Sequence, residues 1–392
     1  MKVVIAGAGI GGLAAGLALA RAGFEVEVIE QAPALREVGA GLQLSPNAMK
    51  ALQWLDVAAA VEAVSSEPEA LELRRGRSGA PIFSIPVGKA ARKRYGAPYL
   101  HIHRADLIDC LGKAVVAAGI RLRMGARVVA FTSEGDMLRV GLDTGDIAEA
   151  GLLVGADGMR STVRRLMFGS DLPRFTGAVA WRALAPIEAC PDLPHSAIVW
   201  TGKGRHAVTY RIRRGQLINF VGVVEEEGWQ GEGWTEAGDI RQLAAAFEGW
   251  AEPVTRVIGA ARDCNRWALF DRAPLQRWSK GRVTLLGDAC HPIPPFQAQG
   301  AAMALEDAVV LARALSKEGV ALEAALQAYE AARKPRTRKV LMSARSNMDV
   351  FHRSNLLTQL GTYEPMRIAN RLLPGFVNSR QDWIYGFDPT RG

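Results

Sequence analysis

Apolar and polar positions change period several times along the chain. Val3-Val4-Ile5-Ala6 is an unbroken apolar run, Gly11–Ala22 spaces its residues as a helix does, and Glu25–Glu30 sets carboxylates between Val26, Val28 and Ile29. Strand, glycine-rich turn, helix and strand are therefore predicted in that order. Short strand-like segments surround Pro81 and Pro86, and Ala105–Ala118 has helical spacing. Arg127–Leu142 reads as a strand pair and Leu152–Gly155 as a short buried strand. From about Gly177 to Glu226 the strand-like segments Ala178–Pro186, Ala197–Thr201, His206–Arg213 and Gln216–Val224 follow one another. Strands without helices between them predict an antiparallel sheet. Arg282–Leu286 returns to a buried strand, and Ala301–Leu315 and Leu322–Ser346 read as helices.

The chain's 392 residues are 49% hydrophobic, enough to bury one large core or two joined ones. Six histidines and the cysteines 110, 190, 264 and 290 form no CxxC pair and no ligand cluster along the sequence. Neither a disulfide framework nor a metal site is expected, and a reducing cytoplasm fits. The net charge of +8 raises nucleic acid as a partner, but the only dense basic run is Arg333–Lys339. That run is read as the solvated face of a late helix, so nucleic acid is not expected, and the charge suits anionic substrates and dinucleotide phosphates instead. The opening strand does not read as a signal peptide, and the apolar stretch Gly11–Ala20 stops at Arg21, too short for a membrane. A soluble cytoplasmic protein, monomeric or homodimeric, is expected.

Gly7, Gly9 and Gly12 have GxGxxG spacing between the first strand and the first helix, with Gly11 beside them. The first glycine permits the tight turn, the second lets the backbone approach a pyrophosphate, and the third brings helix and strand together. Glu30 ends the following strand, where a carboxylate can accept from ribose hydroxyls and would repel a ribose phosphate. This context leaves NAD and FAD equally open.

Several further motifs occur in order. They are Gly39–Ala48, His103-Arg104-Ala105-Asp106-Leu107, Gly155-Ala156-Asp157-Gly158-Met159-Arg160-Ser161, and Leu285–Pro292 followed by Pro295, Gln299-Gly300-Ala301 and Glu306-Asp307-Ala308. Together they resemble the class A FAD-dependent aromatic hydroxylases, the salicylate, 3-hydroxybenzoate and 6-hydroxynicotinate enzymes, through Asp382–Gly386. The fold implied is α/β. A Rossmann-type FAD-binding domain (residues 1–70, 101–175 and 275–392) is interleaved with a mainly antiparallel-sheet substrate domain (71–100 and 176–274), with helices at the C-terminus.

The resemblance implies that Asp288 bonds the ribityl chain of FAD and that Gly300 and Ala301 offer N–H groups to its ring. Arg104 would meet the phosphates or the ribityl chain, and Gln31, Gly41 and Val128 would also border the cofactor. Asp157 lies in a segment that relatives use for FAD or for NAD(P)H, and both roles stay open. NADH or NADPH would bind transiently, since no second GxGxxG occurs. The reaction implied is hydride transfer to FAD, reaction with O2, and hydroxylation of a small aromatic acid. A flavin dehydrogenase or halogenase is the competing reading.

Period-two alternation puts His206, Val208 and Tyr210 on one strand face. The resemblance makes His206 and Tyr210 contacts for a substrate carboxylate or phenol, with catalytic roles shared by Pro295 in the following loop. His291 is read as shaping its turn. Gln43 and Phe296 stand where relatives differ in polar residues, so an apolar pocket suited to a salicylate-like ring is expected.

Overall fold

The computed structural model describes residues 1–35, 40–171, 173–229, 235–353 and 356–391. Gly39, at the head of the Gly39–Ala48 motif, lies outside them. The expected opening unit forms as strand Lys2–Ala6, helix Ile10–Arg21 and strand Glu25–Glu30. These belong to a six-stranded sheet in the order Ser279–Lys280, Val283–Leu285, Leu152–Gly155, Lys2–Ala6, Glu25–Glu30, Arg121–Met124. All neighbours are parallel except the first pair. Helices cover such a sheet on both faces, which explains the unbroken apolar runs of its central strands. Val3, Val4, Ile5, Leu152, Leu153 and Val154 are fully buried.

A second sheet of eight strands lies between the segments that build the first. It runs Thr235–Gly238, Cys264–Asp271, Arg174–Pro186, Leu217–Glu225, Arg205–Ile212, Ser196–Gly202, Ala70–Arg75, Pro81–Pro86. It is antiparallel except where Ser196–Gly202 runs parallel to Ala70–Arg75. One face is packed by helices Ile240–Ala246 and Glu252–Ala260, with Trp200, Phe220, Phe247 and Trp250 between. The other face meets the first unit. The expected strand pair at 127–142 gains a third strand, Ile147–Ala150.

The late basic run departs from expectation. Pro335 sits within the continuous helix Leu322–Phe351, and Arg333 is completely buried with Thr337 beside it, so the run is solvated only in part, at Arg338 and Lys339. Buried residues recur at Leu326, Tyr329, Arg333, Thr337, Val340 and Ala344, a helical stripe that passes through the arginine. Among the described residues no helix is long and apolar enough to cross a membrane.

Candidate active site

Four of the singled-out positions gather at the carboxyl edge of the six-stranded sheet, where open α/β sheets place their ligands. Gly7 follows the strand Lys2–Ala6, Glu30 ends its own strand, Asp157 follows Leu152–Gly155 and Asp288 follows Val283–Leu285. Backbone bonds hold them together: Gly7 N–H donates to Ile29 O at 2.7 Å and Ala156 N–H to Ala6 O at 2.8 Å, while Leu286 N–H reaches Gly155 O at 2.9 Å.

The glycines there answer different demands. Gly7 has φ +101°, and a Cβ on it would stand 2.5 Å from Ala156 O. A Cβ on Gly12 would meet Gly7 O at 1.9 Å, so the turn closes only with glycine. A Cβ on Gly11 would strike Leu286 Cδ2 at 2.7 Å, which makes Gly11 a helix-packing residue. Gly9 is different, because nothing lies within 4 Å of its missing side chain. It also begins helix Ile10–Arg21, whose N-terminus has no side-chain cap. Open space before uncapped N–H groups fits a pyrophosphate.

Glu30 accepts from Ala8 N–H at 2.7 Å and from Ala32 N–H at 2.8 Å, one bond to each oxygen. Lone pairs remain on both oxygens for ribose hydroxyls. Gln31 is exposed next to it, and Val128 is buried at the start of a strand whose approach, through Gly125 and Ala126, is bonded to Ala32 and Glu30. Arg104 opens helix Arg104–Ala117, and its backbone N–H donates to Ala40 O at 3.2 Å.

Asp288 opens to solvent, yet the protein around it is dense enough to push its carboxyl upward; His291 and Arg104 pull the other way. Among the described residues no hydrogen-bond donor reaches it. It does not cap the following helix either, since Gly300–Leu315 begins at Gln299, again without a side-chain cap, and a Cβ on Gly300 would meet nothing. Ala301, next in the same turn, is half-buried. An acceptor facing open space, two uncapped helix starts and two bare glycines fit an extended dinucleotide such as FAD.

Asp157 is occupied differently. It accepts from Thr162 N–H at 2.7 Å and Val163 N–H at 3.1 Å, and from the Ser161 hydroxyl, and so caps helix Thr162–Phe168.

A buried polar network ties these loops from behind. Asp307 accepts from Gly287 N–H at 3.1 Å, bonds His291 Nε2 at 2.5 Å and accepts from Arg333 Nε at 2.6 Å. Burial alone would raise the Asp307 carboxyl, but His291 and Arg333 outweigh it and hold it at about 2. Glu306 accepts from Arg333 at 2.6 Å, from Arg336 at 2.6 and 2.7 Å, and from Asn47 at 2.7 Å. Asn47 and Ser45 in turn bond Gln299 at 3.0 and 2.8 Å. The Asp288 turn, the Gln299-Gly300 turn and the Ser45–Asn47 segment are thereby fixed to one another. Cys290, His291 and Asp307 bring ligand-type atoms within 4.8 Å of one another, a cluster that sequence spacing did not show. Cys290 Sγ, His291 Nε2 and the Asp307 oxygens are committed to hydrogen bonds, and the Arg333 guanidinium on Asp307 opposes a cation there.

The large sheet presents three rows to this cleft. Register aligns Ala180, Val223 and His206; then Arg182, Val221 and Val208; then Leu184, Asn219 and Tyr210. The outer rows are each gripped by the other unit. Phe296, in the turn Pro295–Gln297, packs on Ala178, Ala180 and Val223, with its ring 5.7 Å from that of His206. Gly41 N–H donates to Asn219 Oδ1 at 2.6 Å, and a Cβ on Gly41 would touch Tyr210 Cε2 at 2.6 Å. Between the grips lie half-buried Val208 and Val221 and the Arg182 guanidinium, 4.3 Å from the centre of the Trp267 ring. Burial pushes the Tyr210 phenol up, and Arg182 draws it down. Gln43 sits on the short ribbon Gly41–Leu44, accepting from Tyr99 OH at 2.6 Å opposite His101. Sequence reading missed Arg182, Asn219 and His101, because sheet register brings the first two near Tyr210 and packing of the Gly41–Leu44 ribbon's partner strand brings His101 against its ring.

Residues 1–344 match the family described as FAD binding domain. The chain is 38% identical over 392 residues to the 3-amino-4-hydroxybenzoate 2-monooxygenase PtnB3 of Streptomyces platensis, covering 99% of this chain and 96% of that one. It is 35% identical to a 6-hydroxynicotinate 3-monooxygenase of Bordetella bronchiseptica, covering 99% and 95%. Klebsiella pneumoniae HpxO, solved with FAD and uric acid, superposes with a TM-score of 0.84 at 29% identity, covering 96% of this chain and 95% of that one. The chain belongs to the FAD-binding-domain family of flavoprotein monooxygenases, the aromatic hydroxylases among them.

Proposed function

We propose that the chain hydroxylates a small aromatic acid bearing a ring hydroxyl or amino-hydroxyl pair, using NADH or NADPH, O2 and FAD, as a cytoplasmic monomer or homodimer. The two interleaved units divide the work, the first (1–70, 101–175, 275–392) holding FAD and the second (71–100, 176–274) holding substrate. FAD, when bound, supplies the redox chemistry: it takes hydride from the nicotinamide and activates oxygen. Gly9, Glu30, Asp288, Gly300 and Ala301 would hold it, with Arg104 facing its anionic part and Gln31, Gly41 and Val128 along its borders.

The observation that carries the substrate reading is the middle row of the large sheet. Val208 and Val221 offer an apolar floor beside the Arg182 cation, between two places where the FAD-side loops grip the sheet. A benzoate-type ring suits the floor, and its carboxylate suits Arg182. Tyr210 bounds one end of the row, with Gln43 beyond it. His206 and Phe296 bound the other, and Pro295 shapes that loop. The flanking walls exclude water and leave the ring one orientation. This favours hydroxylation over a dehydrogenase, which needs no anchored phenol.

The test is flavin difference absorbance and oxygen uptake with 3-amino-4-hydroxybenzoate, 6-hydroxynicotinate, 3-hydroxybenzoate and salicylate. At least one acid is expected to perturb the flavin and accelerate NAD(P)H oxidation. Arg182→Met is expected to raise the KM for that acid about 10- to 100-fold, the loss of one charge-assisted bond. A panel without effect, or an unchanged KM, contradicts the assignment.

A further inference from the structure

His206 does not end at its strand face. Its Nδ1 lies 2.6 Å from His352 Nε2, and His352 Nδ1 lies 2.7 Å from Glu225 Oε1. His352 caps the helix Leu322–Phe351, and Glu225 ends the strand that pairs with that of His206. Both rings are buried, whereas the Glu225 side chain is 51% exposed. A line of three bonded groups thus runs from the substrate face to solvent.

Chemistry orders the protons on it. A carboxylate only accepts, so His352 carries its proton on Nδ1. A neutral His352 then has a lone pair at Nε2, and the contact with His206 is a donation from His206 Nδ1–H. The remaining nitrogen of a neutral His206, Nε2, is left with a lone pair. Burial keeps His206 far below the ordinary histidine range. It also lowers His352, although Glu225 and Asp349 pull the other way. The rings of Phe296 and Phe351, 5.7 and 5.1 Å from His206, are the aromatic walls around it.

We infer that Glu225 and His352 are positioning residues that fix the tautomer of His206, so that its Nε2 accepts the substrate's ring-hydroxyl proton and the three residues carry that charge to solvent. In the step, the hydroxyl O–H breaks and its proton goes to His206 Nε2. The Nδ1 proton of His206 passes to His352 Nε2, and that of His352 passes to the Glu225 carboxylate, which exchanges with water. The product is a bound phenolate, with no redox change. The inference rests on the reading that His206 borders the substrate.

The test needs no turnover. In FAD-loaded enzyme carrying 15N-histidine, long-range proton–nitrogen correlation reads each ring's tautomer. Wild-type His206 is expected to be neutral and protonated at Nδ1, and Glu225→Ala to shift it toward the Nε2–H form, with Glu225→Asp restoring it. His206 protonated at Nε2 in the wild type, or unmoved in Glu225→Ala, overturns the proposal. With 3-amino-4-hydroxybenzoate bound, ultraviolet titration of its hydroxyl is expected to move up by about one pH unit in Glu225→Ala. An unmoved titration also overturns it. If that acid does not bind, the titration is made with whichever of 6-hydroxynicotinate, 3-hydroxybenzoate and salicylate does; if none binds, the substrate reading is what fails, and the tautomer measurement still decides the positioning.

Discussion

Arg333 donates through Nε to Asp307 Oδ1 at 2.6 Å, and neither side chain reaches solvent. Through Nη1 the same guanidinium holds Glu306, which Arg336 also holds, so two carboxylates and the arginines 333 and 336 nearly cancel in charge. The network costs desolvation to build, but breaking it on one side strands the rest. Arg333→Met leaves Glu306 and Asp307 buried short of a cation. It is expected to cost about 3–5 kcal/mol, read as a large drop in melting temperature and as loss of FAD on gel filtration. An unchanged melting curve shows that the network contributes little.

Gly9 and Gly11 are two residues apart and are expected to fail differently. Gly11→Ala forces a methyl against Leu286 and Ala304 and is expected to destabilise the FAD-free protein by about 1–3 kcal/mol. Gly9→Ala meets no protein atom, so the FAD-free protein is expected to melt as wild type while the Kd for FAD rises at least about tenfold. Thermal melts of stripped protein and flavin-fluorescence titrations separate the two. Equal FAD affinity in Gly9→Ala contradicts a pyrophosphate at that turn.

His101 is buried beside Tyr210, the ring centres 4.5 Å apart, and burial holds its pKa down at about 3. An unfolded histidine takes up its proton near pH 6.5, so between these values the unfolded state binds more protons. Stability therefore falls as pH drops through that window, by about 1.4 kcal/mol per unit for this one residue. Denaturant melts between pH 4 and 6.5 (about that window) are expected to show a shallower slope in His101→Leu. Equal slopes indicate that His101 is charged in the folded protein.

Tyr210→Phe removes one hydroxyl beside the Gly41–Asn219 bond. FAD content is expected to stay at the wild-type level, while the yield of hydroxylated product per NAD(P)H falls and hydrogen peroxide rises. Paired product and peroxide assays check this. Unchanged coupling takes the Tyr210 hydroxyl out of the substrate contacts.

The first sheet was legible because its central strands are short and buried on both faces. Val3–Ala6 and Leu152–Gly155 have no polar position to confuse the reading. Boundaries of the later strands moved by only a few residues, Ala178–Pro186 growing backward to Arg174. Helices 240–246 and 252–260 were passed over within the β-rich region. On the site, Gly9 could be singled out because its chemistry is local, a glycine turn between strand and helix, whereas Asp288 was marked only by the resemblance of its block to the flavoprotein hydroxylases. Arg333 was misread because a basic run looks solvated, although the stripe Tyr329, Arg333, Val340 marked its buried side. Arg182, Asn219 and His352 leave no local mark, since their neighbours come from sheet register and from a helix end more than a hundred residues away.

As an aromatic hydroxylase, this protein puts one atom of dioxygen onto an aromatic acid. Turnover of FAD-loaded enzyme under 18O2, with NAD(P)H and the acid that most perturbs the flavin, tests it by mass spectrometry of the product. The expected result is one oxygen-18 atom in the ring hydroxyl for each product formed, with NAD(P)H consumed in step. An oxidised product without the label, or oxygen returned only as hydrogen peroxide with every acid tried, contradicts it.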